Sequence, residues 1–320
     1  MAASPSSTAS SRPDVGTVPA GPHRLSPREW VHVFKRAVKS FIADDCTGLA
    51  QQVAFSSILA FFPALIFLIG LLGLFGPETY NQLGDLLNRV APKQLNDVIE
   101  IAKTSSTNNA GASTIAFIVG GFLAVWAASG AMGAVIKAVN RAYDRVETRP
   151  FWLLRLLSIV LVVITGLVLA GMFIFIVFGG PLGEAIADKA GFGSEFTVLW
   201  TIIRWPLAFT VLLFFNALVY YAAPNVEQRS WKWVTPGSIL AALLWLALSG
   251  LFALYTSFSS SYDRTYGSLA GGIILLLWLN YSAMALLFGA ELNAELDRQA
   301  DIDAAGGENA GLVRPARRSI

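Results

Sequence analysis

Six stretches of apolar residues, each long enough to cross a bilayer, leave few folds open to this chain. They occupy residues 49–75, 114–136, 153–178, 196–222, 235–258 and 267–290. At about 1.5 Å of rise per residue, a helix of such length covers the roughly 30 Å of hydrocarbon in a membrane. Extended strands with open edges are excluded there, because their N–H and C=O groups would have no partner in lipid. Composition agrees: 14% of residues are charged and 55% hydrophobic, with a mean hydropathy of +0.58, against about 25% charged in soluble domains. The expected fold class is an all-α integral membrane protein with six transmembrane helices plus amphipathic interfacial helices.

The flanking segments read differently. Residues 1–25, rich in Ser, Pro and Ala without a continuous apolar core, are expected to be a disordered tail and not a secretory signal peptide. Residues 26–43 are expected to form an amphipathic interfacial helix. Ser26 and Glu29 fit a capping box, and Pro27 suits the first turn. Trp30, Val33, Phe34, Ala37, Val38, Phe41 and Ile42 follow helical spacing, with Lys35, Arg36 and Lys39 on or near the other side. Such a helix suits an anionic membrane surface, and its pattern fits packing against protein equally well. Residues 44–298 make the six-helix domain, with an outer amphipathic segment at 77–112 and a kink expected at Pro63. Residues 299–320 read as a second disordered tail.

Basic residues orient the spans. Seventeen of the 23 Lys and Arg fall before the first span, in the second-to-third and fourth-to-fifth connections with their flanks, and after the sixth span. Cations collect on the cytoplasmic side, so both termini are expected there, in a multi-pass membrane protein.

The residue inventory narrows the chemistry. Both histidines, His23 and His32, precede the first span, and Cys46 is the single cysteine. No zinc-protease, phosphate-loop or serine-hydrolase motif occurs, so no metal, cofactor or catalytic residue is expected. What remains is polar residues at the cytoplasmic ends of the spans. Asp44 and Asp45 precede the first span, where acids suit the positive helix end. Gln51 lies just inside, and reads either as an interhelical hydrogen bonder or as one wall of a polar vestibule. Asn140, Arg141 and Tyr143 follow a run of small residues, 127–134, that permits close helix contact. Asn225, after Pro224, reads as a turn residue. Glu291 and Glu295 stand four apart on one face of the sixth helix. Glu295 is expected to be a solvated foot. Glu291, a turn deeper, is expected to meet a cation, with Arg141 as its partner, in a structural pair or in proton coupling.

Four blocks in order, "DDCTGLAQQVAFSSILAFFPALIFLIGLLG", "VWAASGAMGAVIKAVNRAYDRVETRPFW", "YAAPNVEQRSWKWVTPGSILAALLWLALSGLFALY" and "YGSLAGGIILLLWLNYSAMALLFGAELNAEL", resemble the YihY/virulence factor BrkB family of bacterial inner-membrane proteins. The resemblance covers about residues 36–298 and departs at Gln51, Gln52 and Asn280. It implies six membrane helices with cytoplasmic termini. It also brings an old ribonuclease BN label, which the absent catalytic constellation opposes, and links to serum resistance and export of envelope lipids. The function so implied is a transporter or flippase-like exporter of a lipid or small amphipathic substrate. The alternative is a scaffold that organises envelope proteins, and an enzyme ranks last. Expected partners are membrane lipids, a lipid or amphipathic substrate and, as an option, a second copy of the chain. Nucleic acid is not among them.

Overall fold

The computed structural model describes residues 25–74, 110–190, 194–226, 235–258 and 269–304. The tails up to residue 24 and from 305, the amphipathic outer stretches between 83 and 102, and the segment around Gly267 lie outside the described residues. Among the described residues the chain is all helical: α1 (Pro27–Ala43), α2 (Cys46–Leu74), α3 (Ala110–Ala142), α4 (Phe151–Ala190), α5 (Ser194–Ala222), α6 (Pro236–Phe258) and α7 (Leu269–Ala304). Six of them, α2 to α7, are long and apolar enough to cross a membrane. The sixth span overruns its expected end, because α7 continues as a polar helix through the residues 299–304 that read as tail.

Each span touches the next, and α7 returns to α2, so the six helices close a ring, with α7 also against α3. Helix α1 begins with the expected capping box: Ser26 N donates to Glu29 Oε2 at 2.6 Å, and Glu29 N donates to Ser26 Oγ at 3.4 Å. These bonds hold the Glu29 carboxyl below its usual range, the backbone bond from Ser26 most of all. Val33 and Ala37 are buried against Leu292 and Leu296 of α7, and Phe34 and Phe41 meet the Phe288 ring edge-on at 5.6 Å. One face of α1 therefore packs on protein.

Buried residues gather at one end of the ring, here the polar end. They come from the first turns of α2 and α6, the last turns of α3 and α5, and the second half of α7. Lipid is as apolar as leucine, so helices in it associate through close packing and hydrogen bonds. The bonds are there. Trp245 and Ser282, and Trp278 and Ser249, pair across α6 and α7 at 3.1 Å, and the Tyr220 hydroxyl donates to the Leu286 carbonyl at 2.7 Å. The tightest approach joins Gly237 of α6 to Gly289 of α7. A Cβ on Gly237 would stand 2.1 Å from the Gly289 carbonyl oxygen, and one on Gly289 would stand 2.4 Å from the Tyr220 hydroxyl. The small-residue run of α3, which permits close contact, is buried at Ser129, Ala131 and Ala134. Its Gly130 instead faces open space, and Gly133 has only Ser158 Oγ, 3.8 Å from where a Cβ would sit.

Gly237→Ala should force backbone apart and cost about 1–3 kcal/mol, whereas Gly130→Ala, with room for the methyl, should cost nothing measurable. Thermal unfolding of both variants in detergent checks this; equal midpoints would contradict it.

Candidate functional site at the polar end

Helices α1 and α2 meet at a corner made by two aspartates. Asp45 has φ 50°, a left-handed conformation that Asp tolerates better than most residues. Its exposed side chain accepts from Gly48 N at 3.3 Å and so caps the start of α2. Asp44 ends α1, is buried, and pairs with Arg141 Nε of α3 at 3.3 Å. The turn thus sends one carboxylate outward as a cap and the other inward as an ion partner.

Glu295 of α7 lies behind this corner, 1% exposed. It accepts from Arg36 Nε at 3.0 Å, from Ser40 Oγ at 2.9 Å and from Arg298 Nη1. Arg298 Nη2 also reaches Asp144 Oδ2 at 2.7 Å, just past α3, and Arg36 Nη2 reaches Gln299 Oε1 at 2.7 Å. The solvated foot expected at Glu295 is therefore corrected. Helix α1 folds over it and brings an arginine and a serine, so its charge is neutralised out of water.

Glu291, one turn deeper in α7, is also 1% exposed. Its hydrogen bond comes from the Cys46 thiol, Sγ to Oε1 at 3.3 Å. Among the described residues no cation pairs with it. The expected pairing with Arg141 is corrected, because Asp44, adjacent on the same corner, takes that arginine.

Tyr143 follows α3 and packs on the core, hydrogen-bonded to Asn293. Burial, with the Asp297 charge nearby, pushes its phenol well above the usual value. Asn293 also accepts from Gly237 N at 2.9 Å and donates to Thr235 Oγ1 at 3.0 Å, fixing the start of α6.

Asn140 and Asn225 belong to a separate clasp. Asn140 donates to Glu147 at 2.8 Å and accepts from Asn225 N at 2.7 Å. Asn225 Nδ2 reaches the Val146 carbonyl and Thr148 Oγ1. Arg149 binds both Glu147 oxygens, at 2.7 and 2.6 Å, and the Ala223 carbonyl at 2.8 Å. The Arg149 bonds hold the Glu147 carboxyl below its usual range. These groups bond to one another and tie the α3–α4 turn to the end of α5. Gln51 is exposed.

The structure thus unites Asp44, Arg141 and Tyr143 with Glu291 at one end. It assigns Asp45, Asn140 and Asn225 to caps and clasps. Cys46, Arg36, Ser40, Asp144, Asn293 and Arg298 complete the site, and sequence reasoning passed over them. The Glu295 and Arg298 spacing of three along a helix was the one local signal available.

Three outcomes follow from this geometry. Removing both Arg36 and Arg298 strands a buried carboxylate and should cost about 3–5 kcal/mol. Glu295→Gln leaves two partly exposed arginines that water can solvate, and should cost less. Denaturation in mixed micelles orders the two. Second, the Cys46 thiol is buried against Glu291, so maleimide should label this single cysteine many-fold more slowly in the folded protein than after denaturation; equal rates would contradict the arrangement. Third, the Glu147 carboxyl is depressed in the folded protein, so its contribution exists above the unfolded value near 4.5 and fades as pH falls through the folded value. The stability gap between wild type and Glu147→Gln should hold at neutral pH and close in acid below about 4.5.

Comparison with known proteins places these residues in context. A family model described as Virulence factor BrkB matches residues 37–311. The ribonuclease-like protein YfkH of Bacillus subtilis is 32% identical over 250 residues, covering 78% of this chain and 90% of that protein. A UPF0761 membrane protein of Idiomarina loihiensis is 31% identical over 52% of this chain, and one of Aromatoleum aromaticum is 28% identical over 80%. The alignments span 56% and 61% of those two relatives' own lengths. No solved structure matches.

Proposed function

The chain belongs to the virulence factor BrkB family of membrane proteins, and from that premise we propose that it exports a lipid or small amphipathic envelope substrate across the bacterial inner membrane. Both termini and the polar end face the cytoplasm, on the support of the 17 basic residues that collect on that side. Helix α1 rests on the inner leaflet, where its exposed Val31, Phe34, Val38 and Ile42 and its Lys35 and Lys39 suit an anionic surface.

One observation carries the reading. Glu291 is a carboxyl group inside a membrane span, buried, with a thiol donor and, among the described residues, no cation paired with it. Ionisable groups in such positions are costly, and they mark proton relays and substrate paths. Asp44 with Arg141, and Arg298 with Glu295 and Asp144, form the cytoplasmic wall above it. Opening that wall admits protons to Glu291, and its protonation state couples the bundle to the proton gradient. No phosphate-loop motif is present in the sequence to supply ATP hydrolysis instead. No enzymatic activity is assigned. The ribonuclease-like name is that of the Bacillus relative, and here both histidines precede the first span.

The second reading, a scaffold for envelope proteins, is favoured by the side-chain-filled core at the polar end, where Ile136, Val139, Val219 and Leu287 are buried together.

Proteoliposomes loaded with a fluorescent phosphatidylethanolamine separate the two. Wild type should move the lipid between leaflets faster under a proton gradient, and Glu291→Gln should remove the gradient dependence. Movement no faster than in empty liposomes would overturn transport. Movement unchanged in Glu291→Gln at every pH would remove Glu291 from the mechanism.

A further inference from the structure

We propose that Arg155, in the groove between α3 and α4, binds the phosphate of an anionic phospholipid. Arg155 is in the first turn and a half of α4, within its apolar stretch Phe151–Met172. Its guanidinium stands 4.0 Å from the centre of the Trp126 ring on α3, and Nη2 donates to the Trp126 carbonyl at 2.9 Å. Trp126 lies near the middle of the apolar stretch Thr114–Ala142, so a full positive charge is held against α3 well inside its apolar length.

That charge lacks a counter-ion. Arg36, Arg141, Arg149 and Arg298 each pair with a carboxylate. Among the described residues none pairs with Arg155, whose Nε is buried without a hydrogen-bond partner. The Trp126 ring attracts the cation but does not neutralise it. An unpaired guanidinium beside hydrocarbon is costly, and phosphate, which matches its donor fork, is the anion a bilayer supplies.

The surroundings fit a lipid better than free phosphate. Phe122 stacks on Trp126 at 6.3 Å, and both rings are exposed, as are Phe151, Trp152 and Leu156 beside the arginine. Acyl chains cover such a wall while the headgroup reaches the guanidinium. Inorganic phosphate would have to leave water with nothing to cover the aromatic surface. The site stands on the lipid-facing surface and is independent of whether the protein transports anything.

The test uses the full chain in dodecyl maltoside, with thermal unfolding followed during titration with phosphatidylglycerol, phosphatidylcholine or inorganic phosphate. Wild type should be stabilised by phosphatidylglycerol at lower concentrations than by phosphatidylcholine. Arg155→Gln should need about tenfold more phosphatidylglycerol for the same shift, and Arg145→Gln, on the exposed turn, should behave as wild type. Equal response of Arg155→Gln and wild type would overturn the proposal. So would equal effects of the two lipids, and full stabilisation by inorganic phosphate would assign the site to the free ion. Should Arg155→Gln fail to fold, a photoactivatable phosphatidylglycerol on wild type decides. Cross-links within residues 119–126 and 151–156 support the site, and cross-links confined elsewhere refute it.

Discussion

A peptide group in hydrocarbon finds no water to bond, so it must be satisfied within the protein, chiefly by other peptide groups. That constraint makes every span of this chain a helix, and it leaves the joining of helices to whatever their sides carry. Apolar side chains alone give little, because lipid solvates them as well as a neighbouring helix does. The ring of spans is accordingly fastened by close contact and polar pairs: Gly237 on Gly289, Tyr220 on the Leu286 carbonyl, Asn293 across the start of α6, and the two tryptophan–serine pairs. These fasteners lie on α7 or reach to it.

Helix α7 also carries the two carboxylates whose difference sets the functional reading. Glu291 and Glu295 are the same residue type one turn apart, equally buried. Glu295 is bonded by two arginines and a serine, and it holds α1 onto the bundle. Glu291 receives a thiol hydrogen bond and, among the described residues, pairs with no cation. Burial constrains both groups, and of the two, among the described residues, only Glu295 has cations paired with it. The ion pairs around it join α1, α3 and α7, the elements that would have to separate for the wall over Glu291 to open.

The number of spans and their approximate centres could be read in the sequence because hydrophobic length is a local property. The capping box at Ser26 and Glu29 was legible for the same reason. The helix boundaries at the polar end were less so: α7 runs to Ala304 because polar residues continue a helix that hydropathy cannot follow. Partnership was the part least legible. Arg36 meets Glu295 across 259 residues, and no spacing within α1 or α7 announces that contact. Position along the helix leaves Glu295 in water, and the nearby basic connection gives Arg141 to Glu291. The fold puts Asp44 between them in the competition for that arginine. Asn225 reads as a turn residue and Asn140 as a polar group at the end of a span, and only the folded loop reveals that they hold each other.

The central claim is that Glu291 exchanges protons in step with substrate movement. Proteoliposomes carrying a trapped pH indicator test it directly. Substrate added to wild-type vesicles should shift the internal pH, and the same addition to folded Glu291→Gln should move substrate without that shift or move none. Identical pH traces from the two proteins, or no trace from either while substrate crosses, would contradict the account.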